Sequence, residues 1–151
     1  MYRLRTASEF LDTASFDFTH NQWAQCVQQA QLAVENAAKA VLACFGPIPR
    51  THTPQDELKG ILQYAQQSLS TEVADAIQVI IVSCQHLGWR EHILASYGDE
   101  EHRLTPSQLF NRSQAANALE SAKHALENTQ TVIHTFADSG LSETDTADEA
   151  G

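Results

Sequence analysis

The sequence predicts an all-α fold, an up-and-down bundle of four to five helices, and three observations carry that prediction. Apolar residues recur at spacings of three and four along most of the chain, the period of a helix with one buried face. No stretch alternates with period two for long enough to make a strand. Proline and glycine gather at few breaks: Pro47, Pro49 and Pro54 after Gly46, a second zone from Gly88 through Gly98 to Pro106, and Gly140 near the end. A chain of 151 residues suits one domain that buries roughly 68–70% of its unfolded surface, so a core forms without staples. That domain is expected over residues 1–137, followed by an acidic tail over 138–151.

The elements follow in order. A first helix is expected from about Thr6 to Phe18, burying Ala7, Phe10, Leu11, Ala14 and Phe18, with Thr6 and Glu9 in the form of a capping box. The second begins near Asn21 and is the most strongly patterned. Trp23, Cys26, Val27, Ala30, Val34, Ala37, Val41 and Phe45 share a face, and Gly46-Pro47 supplies a stop. Pro54 opens the third, capped by Thr53 and carrying Leu58, Ile61, Leu62 and Ala65. A fourth starts near Ser70 or Thr71 and turns Val73, Ile77, Ile80, Ile81, Cys84 and Leu87 inward. Its β-branched run from Ile77 to Val82 resembles a buried strand, but the three-to-four spacing favours a helix. Residues 88–111 are less regular, with a short helix suggested at Trp89–Leu94. The last helix spans about Ser113 to Phe136, with Ala116, Leu119, Ala122, Leu126, Thr129, Ile133 and Phe136 on one face. The alanines of this helix and of the second suggest a seam between two copies. The residues from Leu141 to Gly151 hold acids and small polar side chains without a basic one, and are expected to be disordered.

Composition narrows the function. The chain has 19 acidic and 9 basic residues, a net charge of −10. Such a balance excludes a broad basic field for coating nucleic acid, though not a local phosphate site. Asp138, Glu143, Asp145, Asp148 and Glu149 supply five of the 19 acids, which leaves 14 against 9 bases through Ala137. No leader-like or membrane-spanning run is evident, and Cys26, Cys44 and Cys84 read as thiols of a reducing compartment, so a cytoplasmic location is expected. Di-iron bundles need Glu-x-x-His turns, which the chain lacks; Glu120 and His124 lie one turn apart and read as a surface pair. There is no CxxC, HExxH, GxSxG or phosphate-binding glycine loop. Cys84 and His86 point away from each other on a helix. No metal or cofactor is expected. Of the seven histidines, His52 is expected to orient the start of the third helix. His92 and His102 flank the irregular segment with Arg90 and Arg103, around Tyr97, Gly98 and Asp99-Glu100-Glu101, and loops often carry function.

The order of features is also informative. A helix reading Glu35-Asn36-Ala37-Ala38-Lys39-Ala40 is followed by Gly46, Thr51-His52 and the Leu58/Leu62 helix. Then come Ser96-Tyr97-Gly98-Asp99-Glu100 and a final helix opening Gln114-Ala115 and continuing through Ala118-Leu119. Over roughly residues 7–135 this resembles the HEPN domain family, whose members show an E-x-A-x-K-A helix, a T-H before the next helix, an R-Y-P-D/E-like loop and an alanine-rich last helix. The resemblance implies a four-to-five-helix bundle paired as a two-fold homodimer. Many small members act beside a minimal nucleotidyltransferase as a toxin–antitoxin or regulatory pair. Others are metal-independent ribonucleases, in which an Arg followed after four to six residues by His meets its copy in a cleft between protomers. A guanidinium steadies phosphate there and an imidazole moves protons. Here no Arg precedes a His at that spacing, and Ser96 stands where the family loop often has Arg. The expectation is a non-catalytic dimeric binding module that contacts a nucleotide or RNA through Arg90, His92, Tyr97, His102 and Arg103. The alternative is a degenerate endoribonuclease using His102, Arg103 and Arg90; a plain structural bundle is a third reading.

Overall fold

The computed structural model describes residues 1–65 and 67–140. Within them the chain forms five long helices and two short ones: α1 (Tyr2–Thr19), α2 (Trp23–Ala43), α3 (Pro54–Ala65), α4 (Thr71–His86), α5 (Trp89–Tyr97), α6 (Pro106–Leu109) and α7 (Arg112–Asp138). No named strand occurs among the described residues; the nearest feature is one isolated antiparallel bridge between Asp99 and Leu104. The bundle is therefore all-α, and the irregular zone after Gly88 resolves into α5, a loop and α6. The proposed tail from Leu141 to Gly151 lies outside the described residues, and α7 runs through the expected boundary at 137 to Asp138.

Helix ends show which local signals were decisive. Ser70 caps α4, its hydroxyl accepting the Val73 N–H at 3.2 Å. Asn111 and Gln114 form a reciprocal capping box at the start of α7. Thr6 does not cap α1: the helix begins at Tyr2, and the Thr6 hydroxyl donates back to the Tyr2 carbonyl at 3.0 Å from within it. At α3 the Thr53 carbonyl accepts the Asp56 N–H, while its hydroxyl pairs with that of Thr51.

Helix α2 is the mast of the bundle. It packs against α1, α3, α4, α5, α6 and α7, and Ala30, Ala33, Ala37, Ala38 and Ala40 have no exposed surface. Small side chains let α7 approach closely, and the Thr129 hydroxyl of α7 donates to the Ala37 carbonyl at 3.3 Å. Ala115, Ala122 and Ala125 of α7 are likewise fully buried. The alanine faces of these two helices thus meet inside one chain, which corrects the expectation that they form a seam between copies. The β-branched run of α4 is helical because Ile77, Ile80 and Ile81 all reach the core, each contributing about 1.5–3 kcal/mol relative to exposure. By contrast α3 buries only Pro54 and Leu58 completely.

Candidate functional site

The first turn of α5 divides two of the predicted residues. Positions two apart on a helix point to different sides, and Arg90 and His92 do so. Arg90 extends into a groove of about 720 Å³ between the end of α4, α5 and the first half of α7. His86, Gln114, Asn117 and His124 line the same groove over a floor that includes Leu87, Leu94, Leu109 and Phe110. His92 instead packs under Trp89, with ring centroids 4.8 Å apart, and does not line the groove.

The other three predicted residues lie on or beside the loop that follows α5. Gly98 turns the chain with φ of +76°, and a Cβ there would collide with the Leu104 carbonyl oxygen. Asp99 and Leu104 exchange both backbone hydrogen bonds, at 2.8 and 2.9 Å. Inside that closure the Asp99 carboxylate accepts the His102 N–H at 3.1 Å and contacts its ring Nδ1 at 2.8 Å. These bonds from His102 hold the Asp99 carboxyl below its usual value. Arg103 adopts a left-handed backbone, φ 56°, and its side chain is exposed. Tyr97 is 72% exposed. The five predicted contacts therefore occupy three settings: a groove, a half-buried ring stack and an exposed loop.

A further cluster joins motif residues that were not singled out as a site. Glu35 of α2 is almost enclosed, and its carboxylate accepts Lys39 Nζ at 2.7 Å and the Gln31 amide at 3.2 Å. His52 Nδ1 lies 3.4 Å from the same carboxylate. The His52 ring stacks on Trp89 at 4.0 Å, so His52, Trp89 and His92 form a file of three rings from the surface inward. Burial raises the Glu35 pKa, but the bonds from Lys39 and Gln31 and the neighbouring positive charge outweigh it and leave the carboxyl below its usual value. Burial lowers the pKa of His92, and its Nδ1 has no partner among the described residues. His52, expected to orient the start of α3, makes its side-chain contacts with Glu35 of α2 and Trp89 of α5.

Cys26 and Cys84 are buried thiols pushed up to about 11 and about 12 by burial. Glu120 and His124 pair at 3.1 Å with both side chains exposed. Among the described residues no three His, Cys, Asp or Glu side chains gather as they would around a metal ion, and no helix is long and apolar enough to cross a membrane.

The chain is thus a small helical bundle whose central helix carries a largely buried Glu35–Lys39 pair approached by His52 from the following loop. Over residues 1–135 the chain matches the HEPN domain. It belongs to that family. A solved structure, TT1696 from Thermus thermophilus, is similar in fold with a TM-score of 0.62 at 20% sequence identity, over 86% of this chain and 94% of that one. No curated protein matches.

Proposed function

We propose that the chain is a non-catalytic binding and regulatory module of the HEPN family, working as a homodimer beside a nucleotidyltransferase, with nucleotide or RNA contact near residues 90–103. One observation carries this reading: Arg90, His92 and His102 face a groove, a half-buried ring stack and an exposed loop respectively, so these three candidate residues do not converge within one chain. Ser96, at the loop position where family members often place Arg, donates nothing cationic and receives the Gln28 amide at 2.9 Å. With the alanine seams enclosed, the contact between copies falls to the outward faces. Capture of the chain from its native host, with mass spectrometry of what co-purifies, tests the partner. Light scattering tests the dimer. A nucleotidyltransferase in the eluate and twice the chain mass are the expected results; a lone monomer would overturn the reading.

A second reading, a degenerate metal-independent endoribonuclease, is favoured by the Asp99–His102 pair. A carboxylate on Nδ1 orients the imidazole and leaves Nε2 facing solvent, as a proton-transferring group requires. Purified protein incubated with RNA, beside His102→Ala, separates the two. Cleavage that disappears in the variant establishes the second reading.

A further inference from the structure

We infer that the groove between α4, α5 and α7 is a binding site for a small organic anion, a phosphate or carboxylate head joined to an apolar body. The inference rests on reading the chain as a binding module, and it names the ligand class of the groove that Arg90 enters.

Several polar groups of the groove are already engaged, and the acids are among them. Glu91 accepts the Gly88 N–H at 2.9 Å, and Glu120 meets His124 Nε2 at 3.1 Å. The Gln114 side-chain oxygen accepts the Asn111 N–H at 2.9 Å, and its amide –NH₂ is free to donate. The guanidinium of Arg90 and the ring of His86 have no hydrogen bond or ion pair among the described residues, in a chain with an excess of ten negative charges. An unpaired guanidinium therefore remains beside two carboxylates that each already hold a partner, and it presents a planar fork suited to an oxyanion. The complement of that fork is a group that only accepts.

The floor supplies the rest of the ligand. Leu87, Leu94, Leu109 and Phe110 form an apolar base beneath these donors. A volume of about 720 Å³ lies within the ~300–1,000 Å³ typical of small-molecule sites, which are mostly apolar with a few placed polar groups. Inorganic phosphate alone would leave this base uncovered, so the body contributes as well as the head.

The test titrates the full chain with phenyl phosphate, benzoate and inorganic phosphate, following amide chemical shifts by NMR. Phenyl phosphate or benzoate is expected to bind more tightly than inorganic phosphate, with shifts centred on α5 and the first half of α7. Arg90→Gln is expected to weaken binding about tenfold to a hundredfold, the range for losing a charge-assisted hydrogen bond. Phe110→Leu, which keeps the floor apolar and the fold intact, is expected to weaken the aryl probes and leave inorganic phosphate unchanged. Tighter phenyl phosphate assigns a phosphate head, and tighter benzoate a carboxylate head. Binding by neither aryl probe, affinity indifferent to Arg90→Gln, or shifts confined to residues 98–104 would overturn the inference. Absence of a nucleotidyltransferase partner would leave these titrations standing, so the two proposals fail separately.

Discussion

Replacing Glu35 by Gln removes one negative charge from the interior and keeps nearly the same shape. Lys39, only 12% exposed, then holds a largely buried ammonium without its counter-ion at 2.7 Å. Breaking a buried pair by removing one partner costs about 3–5 kcal/mol. Gln can still accept a hydrogen bond and the Lys39 stem can reach toward water, which places the loss near the lower end, about 3 kcal/mol. For a chain of this length that corresponds to about 6–12 °C in melting temperature. Urea unfolding followed by far-UV circular dichroism measures it. The discriminating variant is Glu35→Gln with Lys39→Met, which removes both charges. Because the stranded cation causes the damage, the double variant should recover at least about 1 kcal/mol relative to Glu35→Gln. Two results would refute the reasoning: stability of Glu35→Gln within about 0.5 kcal/mol of the parent, or a double variant as poor as the sum of the singles.

The remaining predictions concern acid, thiols, loop and cap. Glu35 has a depressed carboxyl pKa, so its contribution is present above the ordinary carboxylate value and is lost as pH falls through the lower folded value. His92 is also depressed, and the unfolded chain takes up its proton first; stability should therefore begin to decline as pH falls below the ordinary histidine value, and His92→Gln should remove that earlier stage in a series of melts. Cys26 and Cys84 should resist iodoacetamide at about pH 8 in the native protein and react on unfolding, since burial holds both as thiols; mass spectrometry of the labelled peptides reads this. Gly98→Ala should cost about 1–3 kcal/mol, because it combines a left-handed φ with a Cβ against the Leu104 carbonyl, and amide exchange at Leu104 should rise. Ser70→Ala, losing the cap on Val73, should cost about 1 kcal/mol in the same urea assay.

Much of the fold was legible because the strongest signals were local. A start near Ser70 or Thr71 and the spacing from Val73 to Leu87 marked α4 through its strand-like run, and Pro54 marked the start of α3. Thr6 and Glu9 misled because a capping box is also an ordinary pair of positions inside a helix, and nothing before them demanded a break. The site was less legible. Glu35 and Lys39 stood out as motif residues one turn apart, yet their burial depends on neighbours from α4, α5 and the loop at His52. His86 and His124 were read as an irrelevant neighbour of Cys84 and as half of a surface pair. Only the packing of α4 and α5 on α7 brings them to Arg90, and single-helix periodicity carries no information about which outward faces end up opposed.

The enclosure of α2 has a consequence for what kinship means in this chain. Its alanines, with Glu35, Asn36 and Lys39, form the most distinctive stretch of the sequence, and nearly all of it lies inside the bundle. A mutation there is judged first by whether the protein folds, whereas Arg90 and His86 face outward and answer to whatever they meet. Likeness carried by α2 is therefore inheritance of a scaffold. The outer faces of α4, α5 and α7 are free to change trade while the interior keeps the ancestral pattern, and two relatives with the same core can serve different ligands.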